Sequence, residues 1–258
     1  MIEATFGSRE LQAQGLPTHF QSPLKILTAH RHEEIHPLLK AAEAEAHAGN
    51  WVALMLSYEA APAFDRAMKT KPASGLPLGW AAVFATTAST SSTTLGGYQV
   101  GRWTPRVSRE DYSNAISQIR DLIAAGDTYQ VNFTFPLVAD FSGDACAWFR
   151  NLCRAQGAAY CAYFDLGRYQ VLSVSPELFF ELEGNMITTR PMKGTIGRGR
   201  WLAEDVQMAE QLAESAKDRA ENVMIVDLLR NDLGRVAVSG SVTVKRLFDL
   251  ERYETLWQ

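Results

Sequence analysis

Residues 160–195 read YCAYFDLGRYQVLSVSPELFFELEGNMITTRPMKGT. Three strand candidates follow one another here, Tyr160–Leu166, Tyr169–Val174 and Leu178–Leu182. A fourth strand-like run, Asn185–Thr189, leads into the turn Arg190-Pro191-Met192-Lys193-Gly194-Thr195. Their aromatic and β-branched residues suit a pleated, half-buried surface. Proline fixes φ and glycine admits backbone geometries closed to other residues, so the turn carries the Lys193 ammonium on a constrained bend. Two readings of Lys193 stand: a surface lysine in a turn, or a nucleophile activated by burial or neighbouring cations.

Working outward, helices alternate with strands of antiparallel type. Residues 32–49 read as a helix with Ile35, Leu38, Leu39 and Ala42 on one face, stopped by Gly49. Trp51–Tyr58 reads as a buried strand, Lys69–Gly79 as a loop, and Trp80–Phe84 as another strand. Ala85–Thr94 is an Ala/Ser/Thr tract suited to a loop or hairpin tip, and Gly97–Trp103 returns as a strand. Thr104-Pro105-Arg106 marks a junction. The next helix is bounded by Ser108 with Asp111 as a capping box and by Gly126, with Tyr112, Ala115, Ile116, Ile119, Leu122 and Ile123 as its stripe. Thr128–Val138 alternates as a strand, with Gln130 and Asn132 on the face opposite Tyr129, Val131, Phe133 and Phe135. That amide face fits solvent or a polar ligand equally.

A short helix around Trp148, Phe149 and Leu152 precedes the opening stretch. Glu204–Leu233 is mostly helical, with a second cap at Ser215 and Asp218 and an end at Gly234. Val236–Val238 and Ser241–Val244 flank Ser239-Gly240 as a hairpin. The fold class expected from this order is α+β rather than a doubly wound sheet.

Composition narrows the function. A chain of 258 residues, 47% hydrophobic and 21% charged, can bury a sizeable core. Its net charge of -4, with no basic stripe, argues against a nucleic-acid binder. No apolar run approaches a membrane span. Cys146, Cys153 and Cys161 lack the paired spacing of a zinc site. With no secretory leader after Met1, they imply reduced thiols and a cytoplasmic protein.

Four groups carry candidate chemistry. Glu177 follows Ser175-Pro176 at a strand head, either as a solvated edge glutamate or as an acid/base partner of Lys193. Asp218 and Glu221 share a helix face, either as a charged surface beside Lys217 and Arg219 or as part of a Mg²⁺ site. Arg230-Asn231-Asp232-Leu233-Gly234-Arg235 is a polar helix end that capping and surface pairing explain. Thr195-Ile196-Gly197-Arg198-Gly199-Arg200 has the donors to hold an anion but matches no nucleotide fingerprint.

Several of these runs, in order, resemble the chorismate-utilising enzymes, and within them the aminodeoxychorismate synthase component I group. They are Gly126-Asp127-Thr128-Tyr129-Gln130-Val131-Asn132, Ser175-Pro176-Glu177, the Arg190–Thr195 turn, and Lys217-Asp218-Arg219-Ala220-Glu221-Asn222 continuing through Val226–Arg235. Ser57-Tyr58-Glu59-Ala60 and Phe64-Asp65 fit the family's N-terminal region. The resemblance implies an antiparallel β-sheet sandwich flanked by helices, with residues 1–107 as an N-terminal region and 108–258 as the first part of the chorismate-binding catalytic domain. It implies amination of chorismate to 4-amino-4-deoxychorismate for para-aminobenzoate and folate synthesis. Ammonia would come from a glutamine amidotransferase subunit.

By the same resemblance, Lys193 is the nucleophile and Glu177 the general acid. Thr195 and Gly194 bind substrate, and Glu221 with Asp218 binds Mg²⁺ as cofactor. Relatives making anthranilate or isochorismate usually have alanine where Lys193 stands. The resemblance also implies a further C-terminal section, absent after Gln258, that completes the metal site and substrate contacts. The chain is therefore expected to be incomplete for activity. The alternatives are an anthranilate synthase component I-like enzyme and a non-catalytic truncated remnant.

Overall fold

The computed structural model describes residues 2–7, 18–72, 75–88, 96–157 and 160–258. Of the Ala/Ser/Thr tract, residues 89–94 lie outside the described residues. The chain groups into two compact units, residues 1–93 with 149–258, and residues 94–148.

The first unit begins with β1 (Glu3–Gly7), β2 (His19–Gln21), β3 (Lys25–Ala29), α1 (Ile35–His47), β4 (Trp51–Leu56) and β5 (Gly79–Phe84). β5 is the centre of an antiparallel sheet ordered β3-β5-β4. Its side chains alternate between two apolar layers. Trp80, Ala82 and Phe84 join Ala4, Phe20 and Ala53 on one face, and Ala81 meets Ile35, Leu38 and Ala42 of α1 on the other. Both faces are covered, so every residue of β5 is buried. The segment Trp51–Tyr58, expected to be buried, is instead the edge strand β4. Among the described residues it pairs only with β5 and leaves Trp51, Leu54 and Leu56 exposed, and Tyr58–Ala63 forms a 3-10 turn.

The second unit contains β6 (Tyr98–Val100), β7 (Thr104–Pro105), α2 (Arg109–Ala125), β8 (Leu137–Val138) and β9 (Phe141–Gly143). Ser108 caps α2 by accepting from Asp111 N at 3.0 Å, and Gly126 closes it in the left-handed conformation. The expected strand Thr128–Val138 is not formed: only Leu137–Val138 pairs, with Thr104–Pro105. Alternation describes an extended chain, but a strand also needs a neighbour to bond. Phe133 and Phe135 nonetheless sit on one side, both against Tyr112, with centroids 5.7 and 5.9 Å away. The expected strand Gly97–Trp103 is shortened to β6, which pairs with β9.

The chain then continues through α3 (Ala145–Gln156), β10 (Tyr160–Asp165), β11 (Gln170–Ser175), β12 (Leu178–Glu183), β13 (Met186–Arg190), β14 (Ile196–Gly197), α4 (Leu202–Glu214), α5 (Ala216–Gly234) and β15 (Leu256–Trp257). β10 returns to pair with β1, from Glu3↔Asp165 to Gly7↔Cys161, giving a four-stranded sheet β11-β10-β1-β2. Phe164 enters the layer held by Trp80 and Phe84, while Tyr163 faces the other way against Phe149 of α3, 5.7 Å away. The first unit is thus a sandwich of two antiparallel sheets flanked by helices, with α+β content as expected. Burial of each large aromatic in its centre contributes on the order of 1.5–3 kcal/mol.

The β1–β10 pairing places the N-terminal strands and the stretch after residue 149 in one unit, a division that differs from the expected junction at 107/108. Ser215 separates α4 from α5 as its spacing predicts, accepting from Asp218 N at 3.3 Å. The expected hairpin Val236–Val244 is a turn without strands, held by Ser241 N donating to Val238 O at 3.0 Å. Its two short runs lack a third strand or packed face to support a ladder. Among the described residues no helix is long and apolar enough to cross a membrane.

Candidate active site

β11 ends at Ser175 and β12 begins at Leu178, so Pro176 and Glu177 form the corner between two antiparallel pairs. Ser175 Oγ accepts from Glu177 N at 3.2 Å and tightens this corner. β13 runs back along β12, with Leu178 opposite Arg190, which brings the Arg190–Thr195 turn beside Glu177. The contact is direct: Met192 N donates to Glu177 Oε1 at 3.2 Å. Glu177 is therefore tethered to the residue preceding Lys193.

Gly194 has φ of +81°, a conformation that a side chain strains. A Cβ there would also lie 2.9 Å from Asp218 Cβ and 3.1 Å from Leu212 Cδ1. The turn is thus seated against the junction of α4 and α5, and only glycine permits the approach. Asp218 is held there by Ser215, whose hydroxyl donates to Asp218 Oδ2 at 2.5 Å.

Seating the turn directs Lys193 toward α5, where Nζ lies 4.0 Å from Glu221 Oε1. About four-fifths of each side chain is covered, with 20% of Lys193 and 22% of Glu221 exposed. An ion pair this long and partly solvated is worth about 0–1 kcal/mol. Releasing Lys193 from Glu221 is therefore cheap. Lys193, Asp218, Arg219, Asn222, Phe248 and Gln258 line a shallow cleft. A larger open cleft of about 360 Å³ lies beside Arg230, Asn231 and the Val238–Val242 turn, and none of the six predicted site residues lines it.

The far side of the turn is fixed by Asp205 and Trp257, which no sequence motif marks, together with Arg198 and Gly199 of the expected anion loop. Asp205 accepts from Arg198 Nε and Nη2 at 2.6 and 2.7 Å, from Gly199 N at 2.9 Å and from Trp257 Nε1 at 3.0 Å. Hydrogen bonding from Arg198 outweighs burial and, with the other two donors, holds the Asp205 carboxyl well below the usual carboxylate range. This cluster anchors the β14–β15 pairing, Ile196↔Trp257 and Gly197↔Leu256. It leaves Thr195 Oγ1 donating to Gln258 Oε1 at 2.8 Å. The anion loop expected at Thr195–Arg200 thus already has an internal anion, the Asp205 carboxylate. Glu251 and Tyr253, which bond to each other and to Arg190 and Pro176 O beside the turn, are likewise unmarked by their local sequence.

All six predicted site residues, Glu177, Lys193, Gly194, Thr195, Asp218 and Glu221, fall in this one region. Glu177 and Lys193 meet through the Met192 backbone, while the Lys193 side chain turns to Glu221. A Mg²⁺ ion takes six oxygen ligands, often with one or two carboxylates. Here Asp218 is bonded to Ser215 and Glu221 faces Lys193. Among the described residues no group of three or more His, Cys, Asp or Glu side chains is arranged to hold a metal. The pair does not constitute a metal site by itself.

Comparison with known proteins agrees with this architecture. The chain is 45% identical over 151 residues to aminodeoxychorismate synthase component 1 of Escherichia coli (strain K12), a match covering 58% of this chain and 33% of that one. The chain spans about a third of the length of the curated relatives it matches. A crystal structure from Bacillus anthracis, described as a 2,3-dihydroxybenzoate-specific isochorismate synthase, superposes with a TM-score of 0.69 at 20% identity, covering 99% of this chain and 65% of that one. Anthranilate synthase component I from Streptococcus pneumoniae TIGR4 gives a TM-score of 0.67 at 20% identity, over 81% of this chain and 56% of that one. These two likenesses establish the fold. Residues 80–258 match the family of chorismate binding enzymes, and to that family the chain belongs.

Proposed function

We propose that the chain acts as an aminodeoxychorismate synthase component 1, aminating chorismate with ammonia supplied by a glutamine amidotransferase subunit. The observation that carries this reading is Lys193 itself, a lysine on the turn that Glu177 holds through Met192 N and that Gly194 seats against α5. The 45% identity to the Escherichia coli relative supports it.

In the proposed reaction, neutral Lys193 Nζ attacks ring carbon C2 as the double bonds shift and the C4–oxygen bond breaks. Glu177 gives its proton to the departing hydroxyl, which leaves as water. As its new bond forms, Lys193 passes a proton to the Glu177 carboxylate, which restores the acid. Ammonia then attacks C4, the double bonds shift back, and the C2–Nζ bond breaks as a proton from the incoming nitrogen passes to Nζ, restoring the lysine amine and leaving the amino group on C4. Nζ faces Glu221 at 4.0 Å, so attack requires that this weak pair open. Thr195 and Gly194, which follow Lys193 on the same turn, would bind the substrate. Mg²⁺ is part of this proposal, with Glu221 and Asp218 as ligands beside further oxygen donors; it would hold a substrate carboxylate and offset its charge. A cytoplasmic location accords with Cys146, Cys153 and Cys161 being thiols rather than disulfides.

The test joins the chain in frame to the remaining section of the Escherichia coli relative and supplies chorismate, Mg²⁺ and ammonium. The product is then identified by mass spectrometry. Aminodeoxychorismate is expected, and Lys193→Ala should abolish or redirect it. Unchanged aminodeoxychorismate formation by that variant would refute the nucleophile assignment, and anthranilate as sole wild-type product would overturn the reaction.

A further inference from the structure

The segment Glu251–Gln258 folds back on itself, with Glu251 N donating to Gln258 O at 2.9 Å and Tyr253 N to Leu256 O at 2.9 Å. It lies more than fifty residues from the turn in sequence yet touches both arms that carry Glu177 and Lys193. Tyr253 Oη is 2.9 Å from Glu251 Oε2, 3.3 Å from Pro176 O and 3.9 Å from Met192 Sδ. The single hydroxyl proton goes best to the carboxylate, the strongest acceptor of the three. Glu251 in turn forms a close ion pair with Arg190, which also donates to Tyr160 Oη at 3.3 Å. Pro176 precedes Glu177, Arg190 opens the turn, and Met192 precedes Lys193. One partly buried network therefore grips the chain immediately before each of the two groups.

We propose that Tyr253 and Glu251 are positioning residues that hold the Lys193 turn against the Glu177 corner. This role rests on the proposed reaction for its catalytic meaning, but its geometric content stands apart from it. Their side-chain contacts run to Arg190, Pro176 and Met192 rather than to Glu177 or Lys193. They act through Arg190, Pro176 and Met192. With the hydroxyl removed, Glu251 and Met192 lose a shared partner and the turn opens more often, exposing a lysine that is now mostly covered.

The experiment is trace acetylation of the folded 258-residue chain with acetic anhydride, resolved lysine by lysine by peptide mass spectrometry. Exposed Lys40 and Lys245 serve as internal references. Tyr253→Phe should raise the Lys193 labelling rate about fivefold, equivalent to one hydrogen bond of roughly 1 kcal/mol. The references should not change. Glu251→Gln, which leaves an acceptor for Tyr253 but removes the charge beside Arg190, should raise Lys193 in the same selective way and serves if Tyr253→Phe does not fold. Unchanged Lys193 labelling in both variants would overturn the proposal. So would a uniform rise at all three lysines, because that is general loosening. The assay involves no chorismate, so the nucleophile assignment can fail while this coupling stands, or the reverse.

Discussion

Replacing Gly194 by alanine tests the seating of the turn. The residue has φ of +81°, and moving an L-residue into that region costs about 1–2 kcal/mol. The added Cβ would also lie 2.9 Å from Asp218 Cβ and 3.1 Å from Asp218 Cγ. Asp218 Cβ is fixed to the first turn of α5, so it cannot swing away as a flexible side-chain tip can. Overpacking of this kind costs about 1–3 kcal/mol. Alanine also restricts the unfolded chain, which returns about 0.4–1 kcal/mol. The net expectation is a loss of about 2–4 kcal/mol, a large part of the 5–15 kcal/mol typical of a folded domain. Gly167 supplies the control, since it has φ of +86° but nothing within 4 Å of its built Cβ. Gly167→Ala should show the backbone cost alone. In equilibrium urea unfolding, Gly194→Ala should lower the midpoint by on the order of 1 M, and Gly167→Ala by clearly less. Equal shifts for the two variants would mean that the turn does not press on α5, and the seating argument would be wrong.

Two further outcomes follow from charge and burial. Asp205 is held below the usual carboxylate range, so its stabilising effect is complete above its unfolded value near pH 4 and fades as pH falls through the lower folded value. Asp205→Asn should therefore be less stable than the parent at pH 7, with the gap closing in acid; a gap that widens below pH 4 would contradict the assignment. Burial, with a contribution from Cys161, pushes the Cys153 thiol up to about 12, so it stays protonated and slow toward disulfide reagents at pH 8 until urea is added. Complete modification of Cys153 within seconds in native buffer, followed by peptide mapping, would show that the site is open.

The elements that were legible share a feature: their signals are local. Ser108 and Gly126 bound α2, and Ser215 splits α4 from α5, because a cap needs only the next few residues. The runs from Tyr160 to Arg190 form successive antiparallel pairs because tight turns dictate their partners. The misread segments fail for the complementary reason. Among the described residues Thr128–Phe135 has the alternation of a strand but no strand paired with it, and Val236–Val244 has a turn but no ladder. Trp51–Leu56 has the composition of a buried strand but sits at a sheet edge.

The candidate site divides along the same line. Its candidate residues were readable from the chain alone: a lysine on a proline- and glycine-bounded turn, a glutamate at a strand head, and two carboxylates three residues apart on a helix. Residue type and short spacing establish these. Tertiary structure alone decided that Lys193 faces Glu221, that Glu177 holds the Met192 backbone, and that Gly194 meets Asp218. It alone also recruited Asp205, Glu251 and Tyr253, joined to their partners through contacts as far as 77 residues apart in sequence. Such contacts leave no local periodicity. They exist because the antiparallel pairs and the α4–α5 junction bring distant segments to one place, where hydrogen bonds and packing rather than propensity select the partners.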